Sequence, residues 1–424
     1  MKTKGIVRMT INRKALLATT AAAAASLFVG FGSARAAENG PIKIGVISEA
    51  QSVVGESIIN ATKMAAEDVN AHGGVLGRKL EIVSYDDHSK APDAVRAFQR
   101  AVNQDKVSAV VGSFISEIVL ALEPWAARLH TVYITPGASS TKIPLQVHEN
   151  YKRYKYVFAG SLNSVFVAKA ICDFDKAVLV KKFHMKTAWM MSEDAAWTTP
   201  LDNEYLKCLP EAGLKVVGHT RFNPDTSDFT PIFNKIEAAH PDLISTGFSH
   251  VGVQPTVQWF KQQVPIAMGG QSSQATTSSF WKDTNGAAVG VITGAAATPS
   301  VALTPKTIPF GEAYVKKYGA SPSYASYSAY DDVHIIANAI NRAGTTNSDK
   351  VVEEIEKADY TGTIGVEQFY GKTSIYAHDV KYGPNLVPDI MIQWQNGKQV
   401  VVWPEDKAQG KVKFPSFVKL PSAG

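Results

Sequence analysis

Two short loops carry the residue types best suited to chemistry. Ser113-Phe-Ile-Ser116 follows the apolar run VSAVVG, and Pro136-Gly-Ala-Ser-Ser-Thr141 follows TVYIT. Each leads toward a helix, so hydroxyls and free backbone N–H groups converge at helix N-termini. That convergence favours a bound carboxylate, because unpaired N–H groups and the helix dipole place partial positive charge there. The same serines are good helix caps, and the residues alone leave both roles open. Two other clusters have the composition of catalytic groups, Asp86-Asp87-His88 and Ser192-Glu193-Asp194. The first falls at a strand end and reads more simply as a turn. There is no GxSxG, HExxH or Walker A motif, and the histidines are scattered singly, with no pair at a metal-ligand spacing. The chain therefore reads as a binder, not an enzyme, with no catalytic residue, no metal and no cofactor.

The elements that position these loops follow from the hydrophobic pattern. Pro41–Gly77 opens with a short apolar strand (Ile42, Ile44, Val46), then a loop, then a long helix ending at Asn70-Ala-His-Gly-Gly-Val-Leu-Gly77. Ile58, Ala61, Ala65 and Val69 share one helical face, as do Val95, Phe98 and Val102 further on. Strands are expected at 42–47, 79–84, 107–112, 131–135, 187–191, 214–219, 242–246, 265–269 and 288–294, with amphipathic helices between them. Alternating strands and helices imply parallel sheets covered on both faces. The pattern runs twice, over 41–160 and 161–299, and each run predicts one open, doubly wound α/β lobe. Such sheets bind ligands beyond the C-terminal ends of their strands. The remainder, 300–424, starts with helices at 309–318, 325–343 and 348–358. Short strands follow, with turns at Gly371-Lys372 and Asn396-Gly397.

Residues 1–36 have the three parts of an export signal. Lys2, Lys4, Arg8, Arg13 and Lys14 form a positive front, Leu16–Gly32 is apolar and Ala-rich, and Ser33-Ala34-Arg35-Ala36 ends in a small-x-small cleavage pattern. Removing this leader, with its six cations and no acid, takes the net charge from +5 to −1. No basic surplus then remains to neutralise phosphates, which argues against nucleic acid as a partner. The expectation is an exported periplasmic protein, monomeric, with its leader removed. Cys172 and Cys208 are either a disulfide, permitted in an oxidising compartment, or two buried thiols.

Several segments taken in order carry a resemblance: IKIGVIS at 42–48, AAEDVNAHGGVLG at 65–77, LEIVSYDD at 80–87, VSAVVGSFIS at 107–116, YITPGASST at 133–141 and YSAYDDVHIIANAINRAG at 327–344. Together, over about 41 to 400, they resemble the leucine/isoleucine/valine-binding protein family, the type I periplasmic substrate-binding proteins of ABC importers. The resemblance implies two lobes joined by a three-crossover hinge. The N-lobe would combine 41–160 with 300–388, and the C-lobe 161–299 with 389–424. The lobes would close on a small ligand, an amino acid or organic acid, and dock on permease subunits at the membrane. A sensor subunit that reports its ligand to a receptor, or an amide or urea importer component, is compatible with the same fold.

The resemblance also implies site residues. Ser116, the backbone of Ala138, and Ser139 or Ser140 would hold the ligand's carboxylate. Trp197 falls where the family places an aromatic over the ligand. Phe248 and His250, in the 247–252 loop, are further candidates, and His378 falls near the hinge. Gln271, in MGGQSSQ at 268–274, stands where amino-acid binders commonly have a Glu that pairs the ligand's ammonium. A buried ammonium without a counter-charge is costly. Either another acid serves, with Glu193, Asp194 or Glu117 in reach, or the ligand lacks an amine, as aromatic acids do. A disulfide that some relatives carry near the first ligand loop is absent here, where His88 and Ile115 stand.

Overall fold

A computed structural model describes residues 40–422, together with Met1 and Gly5. Apart from those two positions, the expected leader lies outside the described residues. Among the described residues, fourteen strands follow in chain order: β1 Ile42–Ser48, β2 Leu80–Asp86, β3 Ala109–Gly112, β4 Val132–Thr135, β5 Val157–Ala159, β6 Thr187–Glu193, β7 Lys215–Phe222, β8 Leu243–Phe248, β9 Ala267–Ser272, β10 Ile292–Ala295, β11 Tyr360–Thr361, β12 Val366–Glu367, β13 Ile390–Gln395 and β14 Lys398–Trp403.

The first sheet has the order β2-β1-β3-β4-β5 and is parallel throughout. Ile42, Ile44 and Val46 of β1 pack into the core on one face, and Ile47 into the core on the other. The helix Val53–Ala71 covers the first of these faces with Ile58, Ala61, Ala65 and Val69, as their spacing predicts. Its start is set by Ser52, whose hydroxyl accepts from the Gly55 N–H at 3.0 Å. Phe98 and Ile118 come from helices on the opposite face. At the end of β3 the backbone reaches φ 122° at Gly112, and a Cβ there would sit 1.9 Å from the Ile47 carbonyl oxygen. Only glycine lets the chain turn there into the Ser113–Ser116 loop.

The second sheet, β7-β6-β8-β9, is also parallel. The separate antiparallel sheet β10-β13-β14 lies against its β9 edge, where the Ser272 N–H donates to the Thr293 side-chain Oγ1 of β10 at 2.9 Å. One core joins Met190, Ile244 and Met268 of this region with Met391 and Trp394 of β13. A separate core joins the first sheet to residues from 297 to 387, including Ile336 and Ile340 of the long helix Tyr324–Ala343. The chain passes between the two regions three times: between β5 and the helix Ser164–Phe174, just after β10, and just before β13. Cys172 and Cys208 are joined in a disulfide, which ties that helix to the helix Thr198–Ala212.

Most expected elements appear within a few residues. β10 begins at Ile292, not 288, because Phe280–Gly290 is a short helix followed by turns. β5 was not expected; it has three residues, too few to carry a period. The Asn396-Gly397 turn joins β13 to β14 with φ 48° and 81°. Among the described residues, no helix is long and apolar enough to cross a membrane.

Candidate functional site

The three passages between the regions form the floor of a cleft. Ser161 and Leu162 come from the first, Ala295 and Ala296 from the second, and Val387 and Asp389 from the third. One wall comes from loops beyond the first sheet (Phe114, Ser116, Gly137, Ser139) and from Tyr324 and Ser328 of the long helix. Gln271, near the end of β9, and Trp197, Ser249 and Ser273, beyond the strand ends of the second sheet, make the other. The cleft holds about 690 Å³ of empty space, counting the part open to solvent. Its lining contains serines, apolar groups and one acid, Asp389, and neither lysine nor arginine.

Ser116 is the first residue of the helix Ser116–Arg128, which has no side-chain cap because Ile115 stands at its N-cap. The Ser116 hydroxyl accepts from the Ser140 N–H at 3.2 Å, so the two serine loops brace each other. The Ser139 carbonyl accepts from the Ser164 N–H at 2.8 Å, fixing the first passage against the loop. Ser164 Oγ lies 2.8 Å from that carbonyl oxygen and 2.6 Å from the Trp197 carbonyl, so one side chain touches both walls. Three buried polar atoms of the lining have no protein partner: Ser161 Oγ, Ser328 Oγ and Gln271 Oε1. Buried polar groups are normally paired, and unpaired ones in a cleft call for a ligand or water.

Of the residues expected at the site, Ser116, Ser139, Trp197 and Gln271 line the cleft. Ala138 and Ser140 lie just behind it, both buried; the Ala138 N–H donates to Thr135 Oγ1 at 3.3 Å, and Ser140 Oγ accepts from the Lys142 N–H at 3.4 Å. His250 is not among the lining residues; it lines an adjoining cavity with Glu49 and Ser52, which shares Phe114 and Ser249 with the cleft. Its Nδ1 lies 2.8 Å from Glu193 Oε1, and this hydrogen bond, opposed by burial, raises its pKa above the ordinary histidine value.

Two expectations are corrected. Phe248 packs into the core against Phe222, with ring centroids 5.7 Å apart, because successive residues of a strand point to opposite faces and Ser249 takes the cleft side. His378 is buried away from the cleft, stacked on Phe158 at 4.0 Å between centroids. Its Nε2 pairs with Glu356 at 2.9 Å, and its Nδ1 lies 3.0 Å from the Val157 carbonyl oxygen, so its ring is committed to the fold.

The three acids considered as partners for an ammonium are all engaged elsewhere. Glu193 is fully buried; its Oε2 accepts from the Ser249 and His250 N–H groups, both at 2.9 Å, and its Oε1 from Trp197 Nε1 at 3.1 Å. It thus orders the loop that presents Trp197 and Ser249. Asp194 pairs with Arg221 at 2.7 Å, and Glu117 accepts from the Ala196 N–H at 2.7 Å. Ser192 bonds to Asp202 at 2.5 Å, so the Ser192-Glu193-Asp194 cluster assembles no nucleophile and base. In Asp86-Asp87-His88, Asp86 accepts from the Ala50 and His88 N–H groups at 3.1 and 2.9 Å, as a turn would have it. Burial pushes the Asp87 carboxyl up to about 6.

Asp389 was missed. The signal was present but weak: a lone acid directly before an alternating apolar run, at the expected boundary between 388 and 389. It is 5% exposed, and burial, opposed only by a hydrogen bond from the Ile390 backbone, pushes its carboxyl up to about 7.

Comparison with known proteins adds to this geometry. The family model described as periplasmic binding protein matches residues 41–381. The chain is 26% identical over 347 residues to a Pseudomonas aeruginosa protein named amino acid binding protein, covering 78% of this chain and 85% of that one. Its fold is similar to that of a Streptococcus pneumoniae branched-chain amino acid transporter substrate binding protein solved in complex with isoleucine. The TM-score is 0.73 and the identity 23%, over 86% of this chain and all of that one. It is similar as well to a Rhodopseudomonas palustris solute binding protein of an ABC transporter, solved with 3,4-dihydroxybenzoic acid, at a TM-score of 0.71 and 19% identity, over 85% and 95% of the two chains.

Proposed function

Because the chain belongs to the periplasmic binding protein family, we propose that it is the ligand-collecting component of an ABC importer. It is exported with its leader removed, takes a small carboxylate-bearing ligand into the cleft between two lobes, and presents the closed form to a membrane permease. The lobes are 41–160 with 300–388 and 161–299 with 389–424. Ser116 and Ser139, with the N–H groups of the uncapped helix start at Ser116, hold the carboxylate, and Trp197 packs over the ligand's apolar part.

One observation carries this reading. All three passages and the strand-end loops of both sheets meet at one cleft, where Ser161, Ser328 and Gln271 present buried, unpartnered oxygens. A ligand touching both walls stabilises the closed arrangement, because only contacts that differ between two states shift their balance. The names of the similar proteins support an amino acid or an aromatic acid as the ligand class.

The test is a thermal-shift and calorimetric screen of the purified protein against branched-chain and aromatic amino acids, benzoate and dihydroxybenzoates. A binder raises the melting temperature by mass action. At least one of these acids is expected to bind and to be recovered unchanged. Failure of every acid to bind, or chemical turnover of one that does, would overturn the proposal.

A further inference from the structure

We propose that His250 is a proton-dependent latch: its imidazolium draws the two sides of the cleft mouth together, so that the protein closes more firmly, and holds its ligand more tightly, in mild acid than in mild base. This rests on the cleft being the ligand site and on its closing about the hinge.

The placement of His250 is specific. It stands in the loop between β8 and the helix Val253–Gln262, on the second-sheet side. The cavity it lines beside the cleft holds about 950 Å³ of empty space, counting the part open to solvent. The facing wall comes from the first-sheet side, with Glu49, Ser52, Ser89 and Phe114. Nδ1 donates to Glu193 at 2.8 Å, and Glu193 is fully buried and also accepts from Trp197 Nε1. The ring is therefore held in place whatever its charge, and the proton that comes and goes is the one on Nε2.

Four acids act on this ring, and they divide between the two sides. Glu193 bonds it and Asp283 lines the cavity, and both belong to the second-sheet side with His250. Glu49 and Glu117 belong to the first-sheet side. No lysine or arginine lines the cavity. The Glu193 hydrogen bond does most to raise the His250 pKa, burial opposes it, and the charges of Glu193, Glu117 and Glu49 add to the rise. Opening the hinge carries Glu49 and Glu117 away from the ring and leaves Glu193 and Asp283 beside it. The closed form thus holds the His250 proton more firmly than the open form, and by reciprocity the proton favours closure. The gain is present in mild acid, where the ring is protonated, and is lost as pH rises through the closed-form value, which lies above the ordinary 6.5 or so. At pH 5.5 carboxyls with an ordinary value of about 4.3 are still charged, so the partners of the latch remain in place.

The experiment is calorimetry on the whole protein at low ionic strength, at pH 5.5 and pH 8.5. The probes are leucine, isoleucine, phenylalanine, benzoate and 3,4-dihydroxybenzoate, and the tightest binder among them is followed. The same two measurements are made on His250→Asn, whose amide keeps a neutral donor for Glu193, and on Glu49→Gln. Asp389, with its carboxyl pushed up to about 7 by burial, also titrates across this range; comparing the proteins removes its part, which all three share. The gain in affinity on acidification is expected to be about fivefold larger in the wild type than in His250→Asn. In Glu49→Gln the excess over His250→Asn should shrink to about twofold. Equal gains in wild type and His250→Asn overturn the inference and leave the cleft reading standing. So does an excess that survives in full in Glu49→Gln, because the coupling then lies within one side of the mouth. If His250→Asn does not fold, the wild type against Glu49→Gln decides the matter. If none of the probes binds, the cleft reading falls and takes the inference with it.

Discussion

Replacing Asp389 by Asn should stabilise the empty protein, and the gain should depend on pH in a way that the structure dictates. The carboxyl sits in the cleft floor at 5% exposure, with burial raising it from 3.8 to about 7. In the unfolded chain it ionises near its ordinary value, about 3.9. Below that pH the carboxyl is protonated in both states and costs little. As pH rises, the unfolded chain loses its proton first, so wild-type stability falls until the folded carboxyl also ionises near pH 7, and then levels off. At about 1.36 kcal/mol per pH unit, the full loss is about 4 kcal/mol, of which roughly 3 kcal/mol falls between pH 5 and pH 8. Asparagine, which does not ionise, escapes it. Urea unfolding of ligand-free wild type and Asp389→Asn at pH 5 and pH 8 measures the difference, and any pH-independent effect of the substitution cancels in the comparison. The stability gap should widen by roughly 3 kcal/mol from the lower to the higher pH. A gap that stays constant would refute the reasoning, because it would mean that the carboxyl titrates alike in the folded and unfolded states.

Three further outcomes follow from named contacts. Gly294→Ala places a methyl group 2.7 Å from Gln271 Oε1 and 2.9 Å from Asp389 Oδ2, tighter than packing allows; ligand affinity by calorimetry should fall about tenfold or more. Glu193→Gln removes the charge that raises the His250 pKa. The His250 midpoint followed by NMR should drop, and the substitution should cost more stability at pH 5.5 than at pH 8, because a raised histidine contributes below about 6.5 and is lost as pH passes its folded value. Replacing Cys172 and Cys208 by Ala opens a bridge across a separation of 36 residues; denaturant unfolding should show a loss of about 4 kcal/mol, with ligand affinity unchanged because neither residue lines the cleft.

What the sequence made legible was local. The helix Val53–Ala71 and strand β1 carry their period in consecutive residues, and their buried faces matched it. The serine loops were legible because each follows an apolar strand directly. Phe248 was misplaced by one residue of strand parity: its neighbour Ser249 takes the cleft side, and no local pattern says which of two residues at a strand end faces the core. His378 was misplaced because its partners, Val157, Phe158 and Glu356, are distant in sequence except for the last. Asp389 was missed for the same physical reason on a larger scale. Its meaning depends on Gln271 and Gly294 arriving at the same gap, and that meeting is made by the passages between sheets, not by any period in the chain.

Closing on a ligand also needs contacts that do not involve it, and Glu117 supplies one that can be isolated. It stands in the first turn of the helix Ser116–Arg128, on the first-sheet side, and accepts from the Ala196 N–H at 2.7 Å, next to Trp197 on the other side. On the proposed hinge this bond exists only when the cleft is shut. The contact is exposed, so its net worth is about 1 kcal/mol and not the larger value of a buried charge-assisted bond. Glu117→Ala also removes a favourable charge at the helix N-terminus, but that loss falls equally on open and closed forms and leaves their balance alone. The closed form should therefore lose about fivefold in population relative to the open one. With the empty protein mostly open, the loss appears as a dissociation rate about fivefold faster, with the association rate nearly unchanged. Stopped-flow intrinsic tryptophan fluorescence, read with whichever acid the screen identifies, separates the two rates. An unchanged dissociation rate would mean that the Glu117–Ala196 bond persists in both forms, and that the mouth of the cleft does not open where the hinge requires it to.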